Sequence, residues 1–365
     1  MSTSWQKKHL GDIAKISSGK MISSKEISDT YSKGLYPCYG GNGLRGYVKN
    51  YLYNGQYPII GRVGALCGNV HLTNGPFFPT EHALVVSIKT NDDPRFIEYL
   101  LKSMNLNQYA KGVAQPVLSA STISELSAYF PPISEQKDIV AELDLLSGII
   151  EKKNAQLRTL DELANTLFYE MFGNPVSNDK AWASEKMKDI APQKAYSGHI
   201  PTNNGMQWLL NLDMVESKTG KIIEKVLFSS ADMGNSTTTF NEDNILYSKL
   251  RPYLNKVVIP DEPGYCTSEL VPLLPKKGAI NRMFLAYLLR SKFFVDYINT
   301  RVAGAKMPRV TMSDFWGFDI IIPPLKLQES FAEKISAIEK QKSLIRTSLS
   351  PAENLLAARM DKYFC

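Results

Sequence analysis

The hexapeptide PPISEQ (131–136) returns later in the chain as PPLKLQ (323–328). From Gly112 to Phe172, the sequence matches Gly304 to Phe364 at a constant separation of 192 residues. Upstream, RFIEYLLKS (95–103) resembles MFLAYLLRS (283–291), and WQKKHLGDIA (5–14) resembles WASEKMKDIA (182–191). The two opening segments are separated by 177 residues, about fifteen fewer than 192, so the second copy has gained about fifteen residues in its middle. This internal repeat therefore predicts two similar globules in one chain.

A long helix is predicted after each proline pair, because proline is tolerated just before a helix and apolar residues then recur at helical spacing. About 40 residues would extend about 60 Å, too far for a small globule to cover, which favours pairing of the two helices over packing of each on its own globule. In the second helix, Ser350-Pro351-Ala352-Glu353 predicts a kink or a restart. The proposed seam comprises Ile139, Leu143, Leu146, Ile150, Leu157, Leu160, Ile335, Ile338, Ile345, Leu349 and Leu356.

Composition indicates a globular protein of two or three domains, with 365 residues of which 44% are hydrophobic. We expect neither a secretory leader, in which a charged segment precedes an apolar one, nor an apolar stretch long enough to span a membrane. The four cysteines never form a C-x-x-C pair, which favours a reducing cytoplasm. Cys67 and His71 are close enough in sequence to share a metal, but two further ligands at suitable spacing are missing, so no metal site is expected.

Positive charge is concentrated outside the helices. Residues 1–130 carry 13 basic and 8 acidic side chains, whereas 133–172 carry 4 basic and 8 acidic ones. Residues 30 to 80 lack Asp and Glu, and so do Tyr99 to Ser124 and Tyr297 to Ser313. Basic loops with glycine and aromatic residues suit a polyanion such as DNA, although a solvated face that lacks acids remains an alternative.

The hexapeptide GNGLRG (41–46) matches the G-x-G-x-x-G pattern of dinucleotide and methyl-donor sites. That pattern requires a strand before it and a helix after it. LYPCY (35–39) is too short and interrupted for a buried parallel strand, and YVKNYLYNGQYPII (47–60) predicts a hairpin around Asn54-Gly55. We therefore expect a glycine turn rather than a cofactor site.

The chain resembles the specificity subunits of type I restriction-modification systems. PIIGRVGALCGNV (58–70), ILYSKLRPYLNKVVI (245–259), the Trp…Asp-Ile-Ala openings and the two PP…Q junctions carry the resemblance, which covers essentially the whole chain. It implies α+β architecture, with two tandem α/β target recognition domains and long helices that pair as an antiparallel coiled coil. It further implies that each domain reads half of a split DNA site while the helices set the spacer.

This resemblance implies the domain boundaries and the partners. Target recognition domains are expected at 1–132 and 182–324, helices at 133–172 and 325–365, and a linker at 173–181. Expected partners are double-stranded DNA, two adenine methyltransferase subunits and restriction motor-nuclease subunits, in a bacterial or archaeal cytoplasm. The chain itself is expected to be non-catalytic and without cofactor, and S-adenosylmethionine to bind the methyltransferase partner.

The chain's own motifs agree with a non-catalytic role. NGPFFP (74–79) lacks the double proline of an adenine methyltransferase motif, and no P-loop lysine motif occurs. A solitary DNA-binding protein of the same fold and, with little support, an autonomous DNA methyltransferase remain as alternatives.

Loop residues at the globule faces are the candidate DNA contacts. Asn42 and Gln115 can bind adenine bidentately, and arginines can bind guanine or phosphate. For Arg62 and Arg251, which lie in family motifs, phosphate contact or support of the fold is favoured, because a shared motif cannot encode different targets. The full set is Lys20, Asn42, Arg45, Arg62, Lys111, Gln115, Tyr196, Lys249, Arg251, Lys306 and Arg309.

Overall fold

The chain is described from a computed structural model that covers residues 5–112, 115–229 and 236–365. It divides into two compact units, the first comprising the residues up to Asn154 with Arg346–Cys365, and the second Ala155–Ile345. Two of the residues in the acid-free window Tyr99 to Ser124, numbers 113 and 114, lie outside the described part. Each long helix contributes to both units, and each unit is considered by itself.

The first copy alternates short strands with short helices before its long helix begins. Its elements are β1 (Gln6–His9), α1 (Leu10–Ile13), β2 (Ala14–Ser18), β3 (Tyr36–Gly40), β4 (Gly43–Val48), β5 (Tyr53–Asn54), β6 (Pro58–Gly61), β7 (Val70–Leu72), β8 (Pro76–Pro79), β9 (Ala83–Ile88), α2 (Pro94–Ser103), α3 (Ala120–Glu125), β10 (Ser127–Phe130) and α4 (Ile133–Phe172).

Two sheets form the body of this globule, with strand orders β2-β9-β6-β7 and β4-β3-β8-β5, and β1 pairs with β10. Strands β6 and β9 are apolar along their lengths because both of their faces are covered, and Ile60 and Leu84 belong to the same core as Phe96 of α2. Burial of such side chains contributes about 1.5–3 kcal/mol each and holds the loops at the strand ends in place.

Two local expectations for the first copy are wrong. LYPCY supplies most of β3, which pairs antiparallel with β4 and parallel with β8, where Cys38 faces Phe78. Strand β5 pairs with β8 rather than with β6, so Asn54-Gly55 does not join the two strands of a hairpin. In both cases the partner that completes the backbone hydrogen bonds is distant in sequence, and local pattern does not reveal it.

The second copy repeats this arrangement. Its elements are β11 (Ala183–Lys186), α5 (Met187–Ile190), β12 (Met206–Leu210), β13 (Leu227–Ser229), β14 (Thr237–Phe240), β15 (Ile245–Ser248), β16 (Val257–Val258), β17 (Gly264–Thr267), β18 (Leu270–Leu273), α6 (Arg282–Arg290), α7 (Lys292–Asn299), β19 (Val302–Ala303), β20 (Arg309–Val310), α8 (Met312–Gly317), β21 (Asp319–Ile322) and α9 (Leu325–Phe364).

Its sheets have the orders β13-β12-β17-β14 and β16-β15-β18, and β11 pairs with β21. Strand β12 runs parallel to β17, as β3 does to β8. The two sheets therefore correspond strand by strand to those of the first copy, except that the place of β2 is taken by a single bridge between Gln193 and Leu273. The predicted α+β class with a repeated globule and long helices is confirmed.

The glutamine of each PP…Q junction attaches the long helix to its globule. Gln136 accepts a hydrogen bond from the backbone N–H of Asp93, the residue that caps α2, and donates to the carbonyl of Pro131. Gln328 accepts in the same way from Asn281, the cap of α6, and donates to Pro323. Both glutamines are buried, so their side chains replace the hydrogen bonds to water that the backbone groups lose on folding.

Within each unit, segments of α4 and α9 pack antiparallel. In the first unit Glu142 pairs with Arg359 at 2.7 Å, and Lys153 donates to Ser348. A residue early in α4 thus contacts one late in α9, and a later residue of α4 contacts an earlier one of α9. The predicted antiparallel pairing is confirmed.

In the second unit, Lys342 is 2.7 Å from Asp161. Phe331 packs edge to face on Phe168 and Phe172. The order is again antiparallel, because the earlier residue of α4 meets the later residue of α9.

The predicted seam residues are buried or half-buried in their units. The predicted restart near Ser350 is wrong, because α9 continues through Pro351 without interruption. Proline lacks an N–H but keeps helical φ, and packing of the flanking turns retains the helix across it. None of the described helices is both long and apolar enough to cross a bilayer.

Candidate nucleic-acid interface

In the first unit, the loop that follows β6 lies between two other segments and is held by its backbone. The N–H of Arg62 donates to the carbonyl of His82 at 2.9 Å, and the Arg62 carbonyl accepts from Leu118 at 2.8 Å. Gly64 N–H donates to the carbonyl of Pro116 at 3.0 Å. This frame, formed by residues 62–64, 82 and 116–118, positions side chains from three loops on one surface.

The second unit contains the same frame. Lys249 N–H donates to the carbonyl of Glu269 at 3.1 Å, and the Lys249 carbonyl accepts from Val310 at 2.8 Å. Arg251 N–H donates to Pro308 at 2.7 Å. Lys249 is therefore the counterpart of Arg62, whereas Arg251 is the counterpart of Gly64.

The conformation at these counterparts agrees. Gly64 and Arg251 both have positive φ, at 87° and 48°. Arginine in this conformation is uncommon, so the backbone frame rather than the side chain determines the geometry.

GNGLRG forms the turn between β3 and β4 and the start of β4, so no helix follows it and it is not a dinucleotide site. Its Gly41 crosses directly over Gly61 at the end of β6. A Cβ added to Gly61 would lie 2.0 Å from the Gly41 oxygen, so the frame requires glycine there. NGPFFP covers strand β8, whose Phe77 is buried in the core.

A depression with a volume of about 530 Å³ lies beside this turn. It is lined by residues 40–45 with Val63, Ala65, Leu66 and His82. The depression is bordered by Asn42 and Arg45, both exposed. Arg45 donates to Ser24 at 2.9 Å, and Asn42 accepts from Asn69 at 3.2 Å. These contacts hold two of the predicted DNA-contacting side chains at the rim of one depression.

The other candidates in the first unit lie on the loops that meet at the frame. Lys20 bridges to Thr80, two residues from His82. Lys111 forms a β-bridge with Val117, and Gln115 lies between them in the sequence. Lys20, Lys111 and Gln115 are exposed, so the structure brings all the candidates of this unit together around the frame.

Arg62 is half-buried and donates to Ser18 at 3.3 Å. Among the described residues its buried Nε has no hydrogen-bond partner, and the same holds for Nε of Arg251. No carboxylate of the described residues forms an ion pair with Lys20, Arg45, Arg62 or Lys111 in the first unit, so their charges are available to an anionic ligand.

In the second unit, Lys249, Arg251 and Arg309 adjoin one another, because Leu250 bridges to Arg309. Lys306 is exposed in the hairpin formed by β19 and β20. Tyr196 is bonded instead to Thr239 of β14, through both the backbone and the Thr239 hydroxyl. The structure thus groups four of the five candidates of this unit and attaches Tyr196 to a different strand.

Arg309 differs from Lys20, Arg45, Arg62 and Lys111 of the first unit because it already has an anionic partner. Its Nη2 and Nε lie 2.8 and 3.3 Å from the two carboxylate oxygens of Glu269. The hydrogen bond to Glu269 raises the pKa of Arg309. Sequence reasoning missed Glu269 and its counterpart His82, although aligning the two copies on β6 and β15 pairs these positions at a separation of 187 residues.

Cys38, Cys67 and Cys266 are buried free thiols. Burial raises the pKa of Cys38 to about 11 and that of Cys266 to about 12, so both remain protonated thiols near neutrality. Cys67 donates to the carbonyl of Arg62, and no cluster of potential metal ligands that includes it or His71 occurs in the described part of the chain.

Comparison with known proteins agrees with this architecture. A sequence model of the family described as type I restriction modification DNA specificity domain matches residues 3–160 and 213–353. The Escherichia coli EcoprrI type I restriction enzyme specificity subunit is 44% identical over 140 residues, which are 38% of this chain and about a third, 35%, of that protein. The EcoDI specificity subunit of the same species is 21% identical over 99% of this chain and 88% of its own length.

A solved structure has the same fold. The crystal structure of the type I restriction-modification system S subunit from M. genitalium superposes with a TM-score of 0.65 at 17% identity, covering 99% of this chain and 96% of that one. The family match covers well over half of the chain, and the resemblance recognised from the sequence motifs is confirmed. The chain belongs to the type I restriction modification DNA specificity domain family.

Proposed function

We propose that this chain is the sequence-reading subunit of a type I restriction-modification complex and that each globule reads one half of a bipartite DNA site. The single observation that carries the proposal is the duplicated frame, in which identical backbone bonds present different side chains. A common frame gives both globules the same docking geometry, while the differing side chains give each its own base preference.

The charges of the loops support DNA as the ligand. In the first unit Lys20, Arg45 and Lys111 are exposed and free of described carboxylates, which suits contact with successive phosphates. Asn42 and Gln115 are exposed beside them and offer the paired donor and acceptor that adenine requires. In this proposal, the three basic side chains position the globule on the DNA backbone, and the two amides reach base edges.

The paired helices are proposed to set the spacing between half-sites and to dock two adenine methyltransferase subunits, with motor-nuclease subunits in the full complex. In this proposal, the chain is not an enzyme and binds no cofactor, and S-adenosylmethionine belongs to the methyltransferase. The relatives named above are specificity subunits of restriction enzymes, which supports this division of labour. The buried free thiols of Cys38, Cys67 and Cys266 are compatible with the cytoplasm as the site of action.

The test is a map of methylated adenines in cells that express the methyltransferase partner with or without this chain. A bipartite motif that disappears when the chain is removed is the expected result. An unchanged methylation map would refute the proposal.

A domain exchange tests the two-globule assignment. Residues 182–322 are replaced by the corresponding segment of a relative that recognises another site. One half-site should change and the other remain, whereas a change in both would refute the assignment of one half-site to each globule.

A further inference from the structure

At two positions of the duplicated frame, the two units have side chains that differ in charge. His82 and Glu269 both supply the carbonyl that accepts from the loop after the central strand. Val117 bridges to Val63 in the first unit, as Arg309 bridges to Leu250 in the second. The backbone is therefore equivalent, but a Val and a His occupy the places that an Arg and a Glu occupy in the second unit.

The Arg309–Glu269 pair is not suited to hold a phosphate. Glu269 offsets the charge of Arg309 and would itself repel a phosphate oxygen at close range. Both side chains are nevertheless accessible, at 53% for Arg309 and 24% for Glu269. A partly exposed acid in an otherwise basic region suits a ligand that offers a hydrogen-bond donor beside its acceptors.

The geometry of the pair provides such a donor-acceptor combination. Glu269 engages Nη2 and Nε of Arg309, which leaves Nη1 and the second Nη2 proton to donate outward. The carboxylate has lone pairs beyond those used by Arg309 and can accept in turn. A row of donors beside an acceptor matches the major-groove edge of a G·C pair, where guanine offers O6 and N7 and cytosine offers its N4 amino group.

We infer that Arg309 and Glu269 form a preassembled reader of one G·C base pair in the half-site of the second globule, with Arg309 donating to guanine and Glu269 accepting from cytosine. The inference rests on the proposed function of the chain. The ion pair holds the guanidinium plane before DNA arrives, so less side-chain freedom is lost on binding. The first globule, with Val117 and His82 at these places, reads its corresponding base pair by different contacts.

The test uses the full chain with its methyltransferase partner and compares the methylated motifs of wild type with those of Arg309→Lys and Glu269→Gln. Arg309→Lys keeps the charge and removes the planar fork. Glu269→Gln keeps the shape and removes the anionic acceptor. Lys306→Gln is the matched control, because Lys306 is exposed in the same hairpin and its loss should lower methylation without altering the motif.

In both variants, preference for G·C at one position of one half-site should fall about 5- to 150-fold, the range expected for loss of one bidentate base contact. The other half-site and the spacing should remain. A motif unchanged in both variants, at whatever level of methylation, would overturn the inference.

Loss of all methylation in both variants is resolved by binding of the purified complexes to wild-type DNA duplexes and to duplexes altered at single G·C pairs. Equal discrimination by wild type and variants would also overturn it. If wild type itself produced no bipartite motif, the proposed function would fail, which is a different result.

Discussion

Replacing Gln328 by leucine should destabilise the second unit strongly, although the two side chains are similar in size. Gln328 is fully buried, and its amide accepts from Asn281 N–H at 2.8 Å and donates to the carbonyls of Pro323 and Ala279 at 2.7 and 3.2 Å. Leucine satisfies none of these backbone groups. An unsatisfied buried polar group costs about 1–3 kcal/mol, and because the carbonyls can recover part of this loss, we expect a decrease of about 3 kcal/mol in unfolding free energy.

Urea unfolding followed by tryptophan fluorescence measures this loss. Three of the four tryptophans, Trp182, Trp208 and Trp316, lie in the second unit, so the signal reports mainly on that unit. Gln341→Leu is the control, because Gln341 is exposed on the same helix and should change stability by less than about 0.5 kcal/mol. If Gln328→Leu behaved like the control, the junction glutamine would not be the attachment described above.

Four further predictions concern other features of the two units. Gly61→Ala should lower unfolding free energy by about 1–3 kcal/mol through overpacking, whereas Gly148→Ala, in an open helical position, should raise it by about 0.5–1 kcal/mol; thermal unfolding compares the two. In native protein at pH 8, a thiol reagent should modify the exposed Cys365 and leave Cys266 unmodified until denaturant is added. Because burial raises the folded pKa of Cys266 to about 12, its contribution to stability should be complete below pH about 9 and should fall as pH rises toward 12, measured by urea unfolding at each pH. Lys342→Met should change unfolding free energy by less than about 1 kcal/mol, because the two carboxylates that the buried Lys342 contacts remain hydrated, whereas Lys342→Glu should lower it by about 3–5 kcal/mol by burying a third carboxylate beside them; equal effects of the two variants in urea unfolding would contradict this expectation.

The repeat and the helices could be predicted from the sequence, because a helix follows from local apolar spacing and a repeat from a constant residue separation. The apolar spacing from Ile139 to Leu160 predicts a helix without knowledge of its partner. A constant separation between PPISEQ and PPLKLQ similarly reveals duplication without any structural information. The architecture followed from these features, the family from the resemblance of the motifs at 58–70 and 245–259, and the class of candidate residues from the acid-free loops.

The strand partners and the frame required the tertiary structure. LYPCY pairs on one edge with the adjacent β4 and on the other with β8, about 40 residues later, and no local pattern indicates the second pairing. Glu269 looks like any surface acid until the loop holding Arg309 is brought against it. Local periodicity depends on neighbours along the chain and can be recognised from the sequence alone. Strand register and loop contacts require closing loops of many residues, and the free energy of each closure depends on the packing of the whole folded unit.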